Sequence, residues 1–292
     1  MQLLINALIA GSLAALIAGG LALVYGVMGV FNMALGQMAL FGGYITWWLH
    51  VVAGVPLLIA IVGGLIGSAI LSGISFELFV RPFTKRHQFL PLVTTIALSM
   101  LLDGLLLLLF EERPRSILGG SKQMIDLGTL ALSIEQAALI VGTILLLCIF
   151  AYTLHSLPIG RKIRSVVQHD HAARSLGINA PFLHAVLFIV SGVLAGGAGI
   201  FLGMDQNLTP TLGFALTIKG YAAVIAGGKG SVWGAVLAAY LIALLEQIVI
   251  GVHWFGGFYV PAGYQSAIPL LFIILLLLLR PTGLFASTAR TA

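Results

Sequence analysis

The feature that most constrains this chain is a succession of apolar runs, each nearly as long as a membrane is thick. A helix needs about 20 apolar residues to cross the hydrocarbon core of a bilayer. Leu3–Val24, Pro56–Val80, Ile134–Leu154 and Phe182–Gly203 all come close to that length. Only 8% of the 292 residues are charged, whereas soluble domains carry about 25%. The sequence therefore predicts an all-α, polytopic membrane protein, with residues 1–292 forming a single transmembrane domain.

The cations between these runs predict how the chain is oriented. Cytoplasmic loops of membrane proteins are enriched in Lys and Arg. Ten of the fourteen cations lie in segments that would share the cytoplasmic side, three lie in the loop of residues 111–133, and Lys219 lies within a span. This asymmetry predicts an external N-terminus, a cytoplasmic C-terminus and about nine crossings. The net charge of +5 thus reflects contact with a lipid bilayer, and no nucleic-acid partner is predicted.

A second feature is an interruption near the N-terminus, where glycines surround Asn32 between two apolar stretches. Two alternatives remain open. A second span starts before Asn32, or a helix is broken or re-entrant inside the membrane, which would reduce the crossings to about eight. Broken helices are tolerated only where the freed backbone faces protein or a wet cavity.

The longest polar interruption of the second half runs from Gly160 to Gly177. It carries Arg161, Lys162, Arg164 and Arg174 against a single acid, Asp170. A helix here would measure about 24 Å and would align Ile163, Val166 and Val167 on one face, with Leu176 roughly in line. Because an apolar stripe in water must be buried, the hypothesis is that another protein chain covers it.

Three charged residues fall inside the apolar runs: Asp103, Lys219 and Glu246. Intramembrane charges indicate function by default and need a partner, and the alternative is a structural ion pair or a side chain that reaches the interface. A Lys219–Glu246 pair is predicted. Asn32 and Gln37 are neutral polar candidates for the same translocation path, and their alternative is helix–helix hydrogen bonding worth about 0.6 kcal/mol each.

Several motifs that would indicate chemistry fail on inspection. The turn Gly227–Ser231 lacks the first glycine of a phosphate loop and has Gly230 after its lysine. His169, Asp170 and His171 alternate around a helix, which does not suit a metal. Cys148 has no nearby base and is expected to be a buried, inert thiol. No catalytic residue, cofactor or metal is predicted, so the chain is not expected to be an enzyme.

Five stretches together resemble one family, the permease subunits (H type) of the branched-chain or hydrophobic amino-acid ABC importers. The first, Leu23–Tyr44, contains the pattern Y-G-V-x-G-V-x-N. The others are Arg161–Asn179, Thr209–Gly230, Ser231–Glu246 and Arg280–Phe285. Three positions depart from the family's usual residues, two of them within Leu23–Tyr44 and one outside the five stretches. Gln37 replaces a Glu, with Leu35 replacing a nearby His, and Asp103 stands where a Gln is common.

The resemblance implies half of a helical pore and a set of partners. These are a second related permease subunit, two cytoplasmic ABC ATPase subunits and an extracytoplasmic substrate-binding protein, in a prokaryotic inner (cell) membrane. The polar segment, about residues 160–178, would be the cytoplasmic coupling helix. Its ATPase contacts would be Arg161, Arg164, Val167, Asp170, Ala173, Arg174 and Gly177.

Two other function classes are weighed against this interpretation. A stand-alone, ion-coupled secondary transporter of small amino-acid-like, amide or urea-like solutes would need an intramembrane carboxylate relay, for which only Asp103 and Glu246 are available. A membrane enzyme would need a nucleophile or a metal site, and no such constellation stands out. A requirement for ATP separates the importer from the ion-coupled transporter.

Overall fold

The structure is a computed structural model that describes residues 2–84, 89–119, 124–126, 131–168, 175, 177–228, 230–251, 267–280 and 283–285. Its helices are α1 Gln2–Met28, α2 Leu35–Trp47, α3 Leu57–Ser75, α4 Arg81–Thr84, α5 Leu90–Phe110, α6 Ile134–Ser156, α7 Pro158–Gln168, α8 Ala180–Asp205, α9 Leu212–Gly227, α10 Val232–Gly251 and α11 Ala267–Leu279. A π-helical turn, Trp48–Val52, extends α2, and a second, Phe76–Val80, joins α3 to α4.

The prediction of a polytopic helical membrane protein is confirmed. Within the described residues, six helical segments are long and apolar enough to cross a membrane, and α9 and α11 are shorter apolar helices. One small feature was not predicted: strands β1 Met124–Asp126 and β2 Ala131–Ser133 form an antiparallel hairpin. Ser133 then begins α6, where its side chain and that of Gln136 cap each other's backbone, as in the usual capping box.

Helices α1 and α8 form the centre of the bundle, and small residues let their neighbours approach closely. A side chain on Gly199 would overlap the carbonyl of Ala39 in α2, and one on Gly196 would overlap Ser68 in α3. Ser72 donates to the carbonyl of Phe188 at 2.6 Å. Because lipid is as apolar as a leucine, membrane helices associate through such close packing and hydrogen bonds. By contrast α3, α5 and α6 turn most of their surface outward.

The interruption around Asn32 is a break between helices. The chain is non-helical and largely buried from residue 29 to residue 34, and Gly29 has a φ of +65°. Thr95 of α5 satisfies part of the freed backbone: its Oγ1 accepts from Met33 N at 3.2 Å and donates to Phe31 O at 3.1 Å. A second helix starting before Asn32 is therefore wrong. The alternative of a broken helix facing protein agrees with the structure.

Contacts between loops agree with alternating crossings. At one end, Arg115 and Leu208 exchange two backbone hydrogen bonds of 3.0 and 2.8 Å. At the other end, Leu284 N donates to Ala226 O at 2.8 Å and Phe285 N donates to Gly227 O at 3.1 Å. Each pair joins segments that the cation pattern places on one side of the membrane. Which end faces the cytoplasm stays a prediction.

Candidate functional site

The first buried polar pair joins α9 to α10. Lys219 Nζ lies 2.7 Å from Glu246 Oε2, and the side chains are 30% and 1% exposed. The predicted pairing is confirmed. A charge inside a membrane protein is costly unless another charge or a hydrogen bond compensates it, and here each ion neutralises the other.

Small side chains surround this ion pair. Ala10 and Ala14 of α1 and Ala223 of α9 line a cavity of about 10 Å³ beside it, together with Ala239, Ile242 and Ala243 of α10. That volume holds roughly one water molecule, whereas pockets for small organic ligands measure about 300 Å³ or more. In this conformation, the surroundings of Lys219 and Glu246 are those of a compact ion pair that joins two helices.

The second pair joins α2 to α5. Gln37 Nε2 donates to both carboxylate oxygens of Asp103, at 3.2 and 3.4 Å. Gln37 is fully buried in the first turn of α2, whereas Asp103 lies at the margin of the exposed face of α5. In the part of the chain that the structure describes, no Lys, Arg or His lies within ion-pair distance of Asp103. Within these residues the charge of Asp103, unlike that of Glu246, has no cation partner.

Sequence reasoning singled out Gln37 and Asp103 separately and missed their contact. Two clues pointed to it, since both are positions at which the chain departs from the family's pattern. An amide stands where an acid is usual, and an acid stands where an amide is common. The resemblance thus implies that family members carry an acid and an amide at these two positions in the opposite order.

The backbone of α9 holds Gln37 in place. A Cβ on Gly213 would lie 2.9 Å from Gln37 Cδ, so only a glycine lets α9 approach this amide so closely. Gly36 N, next in the chain, donates to Thr217 Oγ1 of α9 at 2.9 Å. Gln37 Oε1 is buried and accepts no hydrogen bond from the described residues. The amide is thus fixed, with its nitrogen on Asp103 and its buried oxygen without a donor among the described residues.

Asn32, the third path candidate of this region, is occupied by its own turn. Its Oδ1 accepts from Ala34 N at 3.1 Å, and its Nδ2 lies 3.9 Å from Met38 Sδ. An Asn that binds backbone two residues on stabilises a turn. Asn32 therefore shapes the break between α1 and α2.

The polar segment after α6 is helical as predicted, in the described range Pro158–Gln168. The hypothesis that another chain covers its apolar stripe is wrong for Ile163 and Val166. These side chains are 5% and 4% exposed because they pack into the hydrophobic core of this chain. Arg161, Lys162 and Ser165 are exposed on the opposite side. A polar surface, and not the stripe, is what α7 offers to a partner.

The other predicted coupling residues are only partly described. Arg164 and Val167 lie within α7, and Gly177, with a φ of +78°, forms an exposed turn before α8. Asn179 then accepts from Phe182 N at 3.2 Å and caps α8. The coupling residues Asp170, Ala173 and Arg174 lie outside the described residues. So do the other two residues of the His-Asp-His motif, His169 and His171, and Leu176 of the predicted stripe.

The expectation of a buried thiol at Cys148 is wrong. Cys148 is exposed on the outward face of α6, beside the exposed Leu145 and Ile149. An apolar neighbourhood in the sequence does not separate a side chain buried in protein from one that faces outward from the bundle.

Comparison with known proteins gives a consistent result over nearly the whole chain. Residues 3–278 match the family described as the permease component of the branched-chain amino acid transport system. The chain is 30% identical to the high-affinity branched-chain amino acid transport system permease protein BraD of Pseudomonas aeruginosa, over 97% of this chain and 95% of that protein. It is 25% identical to LivH of Escherichia coli K12, over 97% and 94%.

An archaeal relative and a solved structure extend the comparison. A probable LivH permease of Methanocaldococcus jannaschii is 29% identical over 97% of this chain and 91% of that protein. The solved structure of PsaBC from Streptococcus pneumoniae in complex with Fab shares the fold, with a TM-score of 0.50 and 17% identity over 97% of this chain and 93% of that one. The matched range contains the break around Asn32, both buried pairs and α7.

Proposed function

This chain belongs to the family of permease components of branched-chain amino acid transport systems, and on that premise we propose that it forms half of the translocation pore of an ATP-driven importer. The cargo is a branched-chain or related hydrophobic amino acid. The observation that carries the proposal is the family match over residues 3–278. A second, related permease subunit supplies the other half of the pore, and an extracytoplasmic binding protein delivers the solute.

The chain is a transport subunit, and its partners supply the ATP hydrolysis. Two cytoplasmic ATPases dock on the polar segment, with Arg161, Arg164, Val167, Asp170, Ala173, Arg174 and Gly177 at or near the contact. The burial of Ile163 and Val166 supports this role, because it fixes α7 to the bundle. A helix that is anchored on one face transmits a push on its other face to the spans behind it.

Within the pore, we assign the predicted path residues different roles. Gln37 and Asp103 border the path, where the carboxylate is partly exposed and has no cation partner among the described residues. Asn32 maintains the break that brings α2 to this position. Lys219 and Glu246 hold α9 against α10 beside the path. The protein is placed in a prokaryotic inner (cell) membrane with its N-terminus outside and its C-terminus in the cytoplasm, as the cation pattern predicts.

The experiment is a reconstitution of the complete transporter in proteoliposomes. The chain is co-expressed with the proposed ATPases, second permease and binding protein, and uptake of radiolabelled leucine, isoleucine and valine is measured. The proposal predicts uptake that requires both ATP and the binding protein. The control is the same preparation with a hydrolysis-deficient ATPase. Uptake driven by an ion gradient without nucleotide would replace the importer with a secondary transporter.

A further inference from the structure

Asp103 differs from the other intramembrane charges of the described residues because its negative charge has no cation. Lys219 and Glu246 neutralise each other at 2.7 Å, whereas the contacts of Asp103 are the two hydrogen bonds from Gln37 Nε2. A partly exposed, uncompensated carboxylate is unfavourable against hydrocarbon. Charged residues of membrane spans therefore face the bundle interior or a water-filled cavity.

Asp103 lies between the buried and the exposed faces of α5. Leu98, Leu102 and Leu106 of α5 face the core, and Asp103 lies at the margin of that face. Gly104, the next residue, is exposed, with no atom within 4 Å of the position that a Cβ would occupy. A side chain introduced at position 104 would therefore fit without displacing a neighbouring atom of the protein. An intramembrane carboxylate at this margin needs the bundle interior or a water-filled cavity beside it.

The atoms of Asp103 and Gln37 that can still form hydrogen bonds are all acceptors. An ionised carboxylate has about four lone-pair sites on two oxygens, and the amide of Gln37 uses only part of them. Gln37 Oε1 adds a further acceptor, fully buried and without a donor among the described residues. A group with several N–H donors and a positive charge complements such a set, and an ammonium group has three donors.

We propose that the carboxylate of Asp103, held in place by the amide of Gln37, forms a transient binding site for the α-ammonium group of the transported amino acid. This inference rests on the proposed function and names the part of the cargo that the site recognises. The site is sparse, with one charge and one amide, which suits a group that must bind and leave again. Specificity for the side chain is not required of it.

A protection experiment tests ligand binding at the site directly. Gly104→Cys is introduced together with Cys148→Ala, because the native thiol is itself exposed. The assembled transporter in nanodiscs, without binding protein, is labelled with a small neutral thiol reagent. Millimolar leucine and isopentylamine, which carry the ammonium group, are expected to slow labelling severalfold. 4-Methylpentanoate, which lacks it, is expected to leave the rate unchanged.

Asp103→Asn supplies the matched variant. It keeps the size of the side chain and an amide-to-amide hydrogen bond with Gln37, and it removes only the charge. Protection by leucine and isopentylamine should disappear in this variant, and ATP-driven leucine uptake should fall at least tenfold. Exchanging the pair, as Gln37→Glu with Asp103→Asn, should restore part of the uptake. Glu112→Gln, an exposed acid outside the spans, controls for a general loss of charge.

The possible outcomes separate this inference from the proposed function. Wild-type ATP-driven uptake together with unchanged protection in Asp103→Asn overturns the ammonium site and leaves the importer intact. Protection by sodium ions alone, with none by isopentylamine, also overturns it in favour of an inorganic cation. Absence of amino-acid uptake by the complete wild-type transporter overturns the proposed function, whatever the protection experiment shows.

Discussion

Among the polar pairs of the described residues, the two that contain intramembrane charges are built in opposite ways. Lys219 and Glu246 form a compact ion pair in a cavity with room for about one water molecule. Gln37 and Asp103 form an amide–carboxylate pair in which the partly exposed carboxylate has no cation partner among the described residues. The difference teaches that a charge within a span does not by itself mark a transport path. Its compensation and its access to water decide between a structural and a functional role.

The largest expected loss of stability comes from breaking the ion pair between Lys219 and Glu246. Lys219→Met removes the ammonium group that lies 2.7 Å from the almost fully buried Glu246, and it should destabilise the protein by about 3–5 kcal/mol. Lys219→Met with Glu246→Gln removes both charges and should recover most of that loss. Unfolding of the three variants in a denaturing detergent gives the coupling free energy. Strictly additive losses would mean that the two residues act independently.

The next largest loss of stability is expected where α2 packs against α9 beside Gln37. Gly36→Ala should destabilise by about 1–3 kcal/mol, because the added methyl would overlap the carbonyl of Gly213 in α9. Gly104→Ala is the matched control, since nothing lies near its Cβ position. It should be neutral or slightly stabilising, because alanine favours a helix. Equal losses in the same detergent assay would show that α2 and α9 are not in close contact.

Asp103→Asn should reduce the stability of the protein much less than Lys219→Met or Gly36→Ala. It removes a charge that no described cation pairs with, and a neutral hydrogen bond between membrane helices is worth about 0.6 kcal/mol. The detergent unfolding curve should therefore be nearly that of the wild type, although uptake is lost. A destabilisation as large as that of Lys219→Met would assign Asp103 a structural role and remove the contrast between the pairs.

Sidedness labelling tests the predicted orientation of the chain in the membrane. The cysteine substitutions that it needs should leave the stability of the protein unchanged. With Cys148→Ala as the background, Ser165→Cys on exposed α7 should react with a membrane-impermeant maleimide only in inside-out vesicles. Glu112→Cys, in the opposite loop, should react only in right-side-out cells. Reaction of Ser165→Cys from outside would reverse the orientation and separate α7 from any cytoplasmic ATPase.

Much of the fold could be predicted because membrane-spanning length is a local property of the sequence. The span predicted at Phe182–Gly203 is Ala180–Asp205 in the structure, and Ile134–Leu154 is Ile134–Ser156. The Lys219–Glu246 contact was also predictable, because opposite charges in adjacent spans have few other ways to be compensated.

What could not be predicted depends on which faces meet in three dimensions. Gln37 and Asp103 are 66 residues apart, and no periodicity links the break before α2 to the middle of α5. The stripe of α7 showed only that Ile163 and Val166 must be buried, and burial by the same chain leaves the same pattern as burial by a partner. Cys148 illustrates the converse, since lipid-facing and core-facing positions of α6 are equally apolar.

The most direct test measures leucine uptake by two variants in the reconstituted transporter. Each variant replaces intramembrane charges with uncharged side chains. One variant is Lys219→Met with Glu246→Gln, and the other is Asp103→Asn. The account predicts that the double variant retains most ATP-driven uptake, whereas Asp103→Asn loses at least nine-tenths of it, as a substrate-contacting charge should when its contribution exceeds about 1.4 kcal/mol. Retained uptake in Asp103→Asn together with abolished uptake in the double variant would contradict it.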